Sequence, residues 1–152
     1  MKLLQLNVLL ADDDTDDCHF FKVALGELLF PTHLSIVHDG EQLMQSLLNK
    51  ENPLPHVLFL DINMHRKNGL ECLTEIKLNT KLNHLPVIIL STSFEQGVVQ
   101  QFFIDGAQYF IRKPAEFSQF KKIIQQTLIR LRETVNISQP SWENFIITVQ
   151  PD

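Results

Sequence analysis

The chain has 152 residues, 44 % of them hydrophobic and 20 % charged, which describes one ordinary globular domain with its own core and excludes a disordered tail. Thirteen basic against eighteen acidic residues leave a net charge of −5 and a pI near 5.6, a poor match for a phosphate backbone, so no nucleic-acid partner is expected. Two cysteines, Cys18 and Cys72, read as buried thiols and not as a disulfide framework; no apolar run approaches ~18 residues, and residues 1–10 are interrupted by Gln5 and Asn7 without a cleavage signal, so no membrane contact and a cytoplasmic setting are expected.

Short apolar runs then alternate with longer amphipathic stretches. Residues 6–11 read as a buried strand. Residues 16–29 repeat apolar groups at helical spacing (Phe20 or Phe21, Ala24 or Leu25, Leu28 or Leu29), with Pro31 as the stop. Asp16 and Asp17 fall in the first turn, where carboxylates favour the positive end of the helix dipole. Residues 34–38 form a second strand, and Asp39-Gly40 turns into a helix through Leu43, Leu47 and Leu48. Pro53 and Pro55 break the chain before a third strand at 57–60. A loop closed by Asn68-Gly69 leads to a helix carrying Leu70, Leu73 and Ile76. Pro86 opens a fourth strand at 87–90, and the helix after it, from about 95 to 104, ends at the stop signal Asp105-Gly106. A fifth strand at 108–111 precedes a last long helix from 116 to about 132, with Phe117, Phe120, Ile124, Leu128 and Leu131 on one face.

Five strands alternating with five helices predict an α/β, doubly wound, five-stranded parallel sheet covered on both faces, spanning residues 1–134. Residues 135–152 form a short C-terminal extension. Within it Ser138-Gln139-Pro140-Ser141 reads as a turn or linker, and residues 145–149 have strand composition. Two readings stand for this tail: a sixth strand at a sheet edge, in this chain or a partner, or a loosely docked segment.

Ligands of such a sheet bind beyond the carboxyl ends of its strands. The residues there are Asp12, Asp13 and Asp14 after the first strand, Asp61 and Asn63 after the third, Ser91 and Thr92 after the fourth, and Lys113 after the fifth. Converging carboxylates repel unless a hard cation neutralises them, and oxygen donors of this kind suit Mg²⁺. Asp61 could then attack phosphorus to form an acyl phosphate, with a lysine and a hydroxyl contacting the other phosphoryl oxygens. Each signal has a plainer reading by itself: an acidic triplet before a helix is a solvated turn and cap, and Ser91-Thr92 caps the next helix. Their joint placement on one edge is the informative feature.

The segments Leu9-Leu10-Ala11-Asp12-Asp13-Asp14, Leu60-Asp61-Ile62-Asn63-Met64 with Asn68-Gly69 behind it, Leu90-Ser91-Thr92, Gly106-Ala107 and Lys113-Pro114 resemble the receiver domains of two-component response regulators, of the chemotaxis-type single-domain kind. The likeness runs from about residue 6 to 131, with 30 residues from Asp61 to Ser91 and 22 from Ser91 to Lys113. It implies a flavodoxin-like (β/α)5 receiver fold in which Asp61 accepts a phosphoryl group from a sensor histidine kinase or phosphotransfer protein, with Mg²⁺ as cofactor. Asp13 would bind the ion directly, Asp12 through water, Asn63 through its backbone carbonyl, and Asp61 as the acceptor itself. Ser91 matches the switch hydroxyl and Lys113 the lysine that pairs with the phosphoryl group. Phe110 matches the aromatic switch, whose ring moves inward. The resemblance also makes the Lys113-Pro114 bond a cis candidate, and the face of the fourth helix, fifth strand and fifth helix the output surface.

Two positions depart from the family pattern. His65 stands where proline usually follows the methionine of the phosphorylation loop, and losing that fixed φ loosens the loop beside Asp61. Phe110 lacks the hydroxyl of a tyrosine. The other histidines, His19, His33, His38, His56 and His84, have no metal-site spacing. About twenty residues after the fifth helix are too few for a DNA-binding or catalytic output domain, so the expected output is contact with a downstream protein, with Trp142 and residues 145–149 as added contact surface, for example in a homodimer. On this reading the chain is a phosphoacceptor with at most self-phosphorylation and autodephosphorylation, and not an enzyme. Autodephosphorylation should be slow, since Asn63 and Ser93 offer no strong base. Two rivals are weighed against it. A pseudo-receiver would use the same fold as an unphosphorylated interaction module. A haloacid-dehalogenase-type phosphohydrolase would need Asp12-x-Asp14 followed by Thr or Val, but position 16 is aspartate.

Overall fold

The computed structural model describes residues 5–64, 67–133 and 138–148. The chain order is β1 (Leu6–Ala11), α1 (Thr15–Gly26), β2 (Thr32–Val37), α2 (Gly40–Leu48), β3 (Val57–Asp61), α3 (Gly69–Leu78), β4 (Val87–Ser91), α4 (Gln96–Ile104), β5 (Tyr109–Arg112), α5 (Phe117–Glu133), α6 (Trp142–Phe145) and β6 (Ile146–Ile147). All strands pair in parallel in the order β2-β1-β3-β4-β5-β6. The chain thus winds outward from β1 in both directions, and the β1/β3 boundary is where strand order reverses.

Period-two alternation along the central strands divides the core in two. Leu9, Leu58, Leu60, Val87, Ile89 and Phe110 face one way, against α2, α3 and α4. Val8, Leu10, Val57, Phe59, Ile88, Leu90 and Ile111 face the other, against α1 and α5, where the Phe21 ring meets Phe59 edge-on with centroids 4.8 Å apart. Strands β3 and β4 are buried along their whole length, as a parallel sheet with both faces covered requires. Cys18 and Cys72 are free and buried in α1 and α3, and burial pushes each thiol up to about 11.

Helix starts follow side-chain capping. Asp14, Asp39 and Asn68 each accept a hydrogen bond from the backbone N–H three residues on, at 2.8–3.0 Å. At the other end of α4, Gly106 takes a left-handed φ of +98°, which favours glycine.

Three expectations are corrected. Helix α1 ends at Gly26 and not at Leu29: the Leu28 N–H bonds back to the Leu25 carbonyl, and the tight turn brings Phe30 under the core while Leu29 stands fully exposed. Among the described residues no peptide bond is cis, so the chain passes from Lys113 to Pro114 in the trans form. The sheet has six strands, not five. Strand β6 pairs Ile146 with Phe110 and Ile147 with Ile111, closing the β5 edge with this chain's own tail.

That tail turns inward. Phe145 is fully buried, its ring 5.1 Å from Phe103, and Trp142 packs on Phe103 at 5.3 Å. Gln139 Nε2 donates to the carbonyls of Phe103 and Ala107 at 2.7 and 2.8 Å, and Gln108 Nε2 donates to the Ser138 carbonyl at 2.7 Å. Phe145 is therefore a core contact of this chain, while Trp142, half-buried, packs against that core and keeps part of its surface exposed. Among the described residues no helix is long and apolar enough to cross a membrane.

Candidate functional site

Parallel strands that start in register also finish together, so β1, β3, β4 and β5 deliver their terminal residues to one edge. Asp12 follows β1, Asp61 closes β3, Ser91 closes β4, and Lys113 follows β5, where its N–H donates to the Ser91 carbonyl at 2.8 Å. The acidic triplet after β1 divides its work. Asp14 caps α1, while Asp12 and Asp13 stay at the strand tip. The plain reading holds for Asp14 alone.

Asp12, Asp13 and Asp61 each place one carboxylate oxygen within 4.8 Å of the others. Asp12 and Asp61 are almost fully buried, at 1 % and 6 % exposure, and Asp13 lies on the open side. Backbone amides orient both buried carboxylates: the Asp14 N–H donates to Asp12 Oδ1 and the Asn63 N–H to Asp61 Oδ1, both at 2.9 Å.

Lys113 reaches into this cluster. Its Nζ lies 3.1 Å from Asp12 Oδ2, 3.3 Å from Asp61 Oδ2 and 2.8 Å from Asp17 Oδ2. Burial alone would lower the ammonium's pKa, but the hydrogen bond to Asp17 and the charges of Asp12 and Asp61 outweigh it and hold Lys113 above its ordinary value. Burial pushes the Asp12 carboxyl up to about 7, against the opposing pull of Lys113 and the Asp14 N–H. One ammonium cannot offset three neighbouring carboxylates. Oxygen-only donors and a residual negative charge fit a hard divalent cation such as Mg²⁺.

Ser91 is fully buried; its Oγ donates to the Ser93 carbonyl at 3.0 Å and accepts from the Ser93 N–H at 3.2 Å. Phe110 already lies inside, 1 % exposed, with its ring centroid 6.3 Å from that of Phe102. Asn63 stands two residues past Asp61, and His65 lies outside the described residues. Of the residues singled out from the sequence, Asp12, Asp13, Asp61 and Lys113 come together. Ser91 sits on the adjacent strand end turned toward Ser93. By sequence Asp17 reads only as a helix-dipole carboxylate. The signal for more was its place three residues after the cap, where a side chain leans back over the strand tips.

The sequence pattern of the response regulator receiver domain matches residues 8–125, most of the chain. The chain belongs to that family. As a receiver domain it is similar to the response regulator Rcp1 of Synechocystis sp., 28 % identical over 134 residues, covering 86 % of this chain and 91 % of Rcp1. Among solved structures, the phosphorylated cyanobacterial phytochrome response regulator RcpA superposes with a TM-score of 0.82 at 26 % identity, over 87 % of this chain and 97 % of that one. The Mn²⁺-bound form of Rcp1 superposes with a TM-score of 0.80 at 27 % identity, over 90 % and 99 %. This receiver shares with them the flavodoxin-like parallel α/β fold, here carrying six strands.

Proposed function

We propose that this receiver is a Mg²⁺-dependent phosphoacceptor switch that takes a phosphoryl group on Asp61 from a histidine kinase or phosphotransfer protein. A carboxylate oxygen of Asp61 attacks the phosphorus of a phosphohistidine. The P–N bond breaks as the new O–P bond forms, and the imidazole leaves to take up a proton on the donor protein. Asp12, Asp13, Asp61 and the Asn63 backbone carbonyl would hold the metal ion, which supplies positive charge for the phosphoryl oxygens. The Asn63 N–H holds the acceptor carboxylate in orientation, and Lys113 lies within reach of a group carried on Asp61. Ser91 would exchange its Ser93 contact for a phosphoryl oxygen, with Phe110 on the neighbouring strand already buried. The chain would then act as a signalling component, through a phosphorylation-dependent contact with a downstream protein, and not as an enzyme.

The observation that carries this reading is the convergence of Asp12, Asp13 and Asp61 around one buried lysine. Likeness to a phosphorylated receiver and to an Mn²⁺-bound one supports the same chemistry here. RcpA is a phytochrome response regulator, which supports a phytochrome-linked kinase as the donor. Incubation of the full chain with acetyl phosphate and Mg²⁺ should add one phosphoryl mass to wild type and none to Asp61→Asn. Equal labelling of both proteins would move the acceptor elsewhere.

A further inference from the structure

Asp17 makes the shortest ion pair of the site without belonging to the group of oxygens that could share a metal. Its Oδ2 lies 2.8 Å from Lys113 Nζ, closer than Asp12 at 3.1 Å or Asp61 at 3.3 Å. The contact is built in. The Asp17 side chain is 24 % exposed and that of Lys113 5 %, so neither partner is a freely rotating surface chain. An ammonium has three donors, and three carboxylates take them here.

We propose that Asp17 acts through Lys113 as a brake: it shares the ammonium with Asp12 and Asp61 and withholds part of its charge from a phosphoryl group arriving on Asp61. This rests on Asp61 as the phosphoacceptor and adds a residue outside that set. Phosphoryl transfer depends on positioning and on positive charge near the phosphoryl oxygens. Asp17 opposes the second in two ways, by competing for Lys113 and by adding a negative charge beside an anionic donor. It contributes little to the first, because Asp12 and Asp61 still hold Nζ when Asp17 is neutral.

The test uses the full chain, Mg²⁺ and acetyl phosphate, with the phosphorylation rate followed by intact mass. Asp17→Asn, close to isosteric and without charge, should speed phosphorylation by about fivefold, the size expected for one partly buried ion pair. Asp17→Glu restores the carboxylate and should return the rate to near wild type. A merely structural role would lower the rate and the melting midpoint together in Asp17→Asn. A rate at or below wild type in that variant overturns the proposal, as does an equal gain in Asp17→Glu. Asp61→Asn runs alongside: if it labels like wild type, the phosphoacceptor assignment fails, a result separate from any effect at Asp17.

Discussion

Lys113 is a buried cation whose worth lies in what its removal would expose. Its side chain is 5 % exposed and bridges Asp12, Asp17 and Asp61. Replacing it with an apolar chain leaves the buried Asp12 and Asp61 carboxylates facing each other, and breaking a buried pair from one side is costly even where the intact pair adds little. Lys113→Met should therefore lose about 3 kcal/mol of stability in metal-free buffer, read from urea midpoints. An unchanged midpoint would mean that the carboxylates are neutralised by something other than this ammonium.

At the scale of elements, the tail is held differently from the rest of the sheet. Strand β6 has two residues, so the docking of 138–148 rests on Phe145, Trp142 and the two hydrogen bonds of Gln139 more than on the ladder. Removing a fully buried phenylalanine ordinarily costs about 3–5 kcal/mol, and Phe59→Ala at the sheet centre should lose that much. Phe145→Ala has another way out, because the tail can undock while the receiver stays folded, which caps its cost at the docking free energy. It should lose less than half of what Phe59→Ala loses. Trp142, the only tryptophan, should shift its emission to the red while far-UV circular dichroism is kept. Loss of the whole fold in Phe145→Ala would instead make the tail an integral part of the core.

For the molecule as a whole, charge and topology meet at one edge. The sheet concentrates Asp12, Asp13 and Asp61 on the tips of two adjacent strands, so a divalent ion should stabilise the folded state and leave the unfolded chain, where they separate, unaffected. At Mg²⁺ ten times its dissociation constant the gain should be about 1.4 kcal/mol, seen as a rise in melting temperature. Asp13→Asn should remove most of that rise. A rise of equal size in the variant would place the ion elsewhere.

Much of this was legible along the chain because the determinants are local. Period-two and helical repeats locate β1 through β5 and α1 through α5, most of them to within about two residues, since alternation and capping depend on neighbours a turn away. The strand tips name Asp12, Asp61, Ser91 and Lys113, because a parallel sheet sends every such tip to the same side. Other features depend on partners far apart in sequence. Strand β6 is too short to carry a period of its own and exists through pairing with β5, more than thirty residues earlier. The early end of α1 reflects Phe30 finding the core. Asp17, a helix-start carboxylate by any local rule, reaches Lys113 across 96 residues of chain. Distance along the sequence hides such contacts, since neither residue's neighbours bear any mark of the other; only the packed sheet brings them within a hydrogen bond.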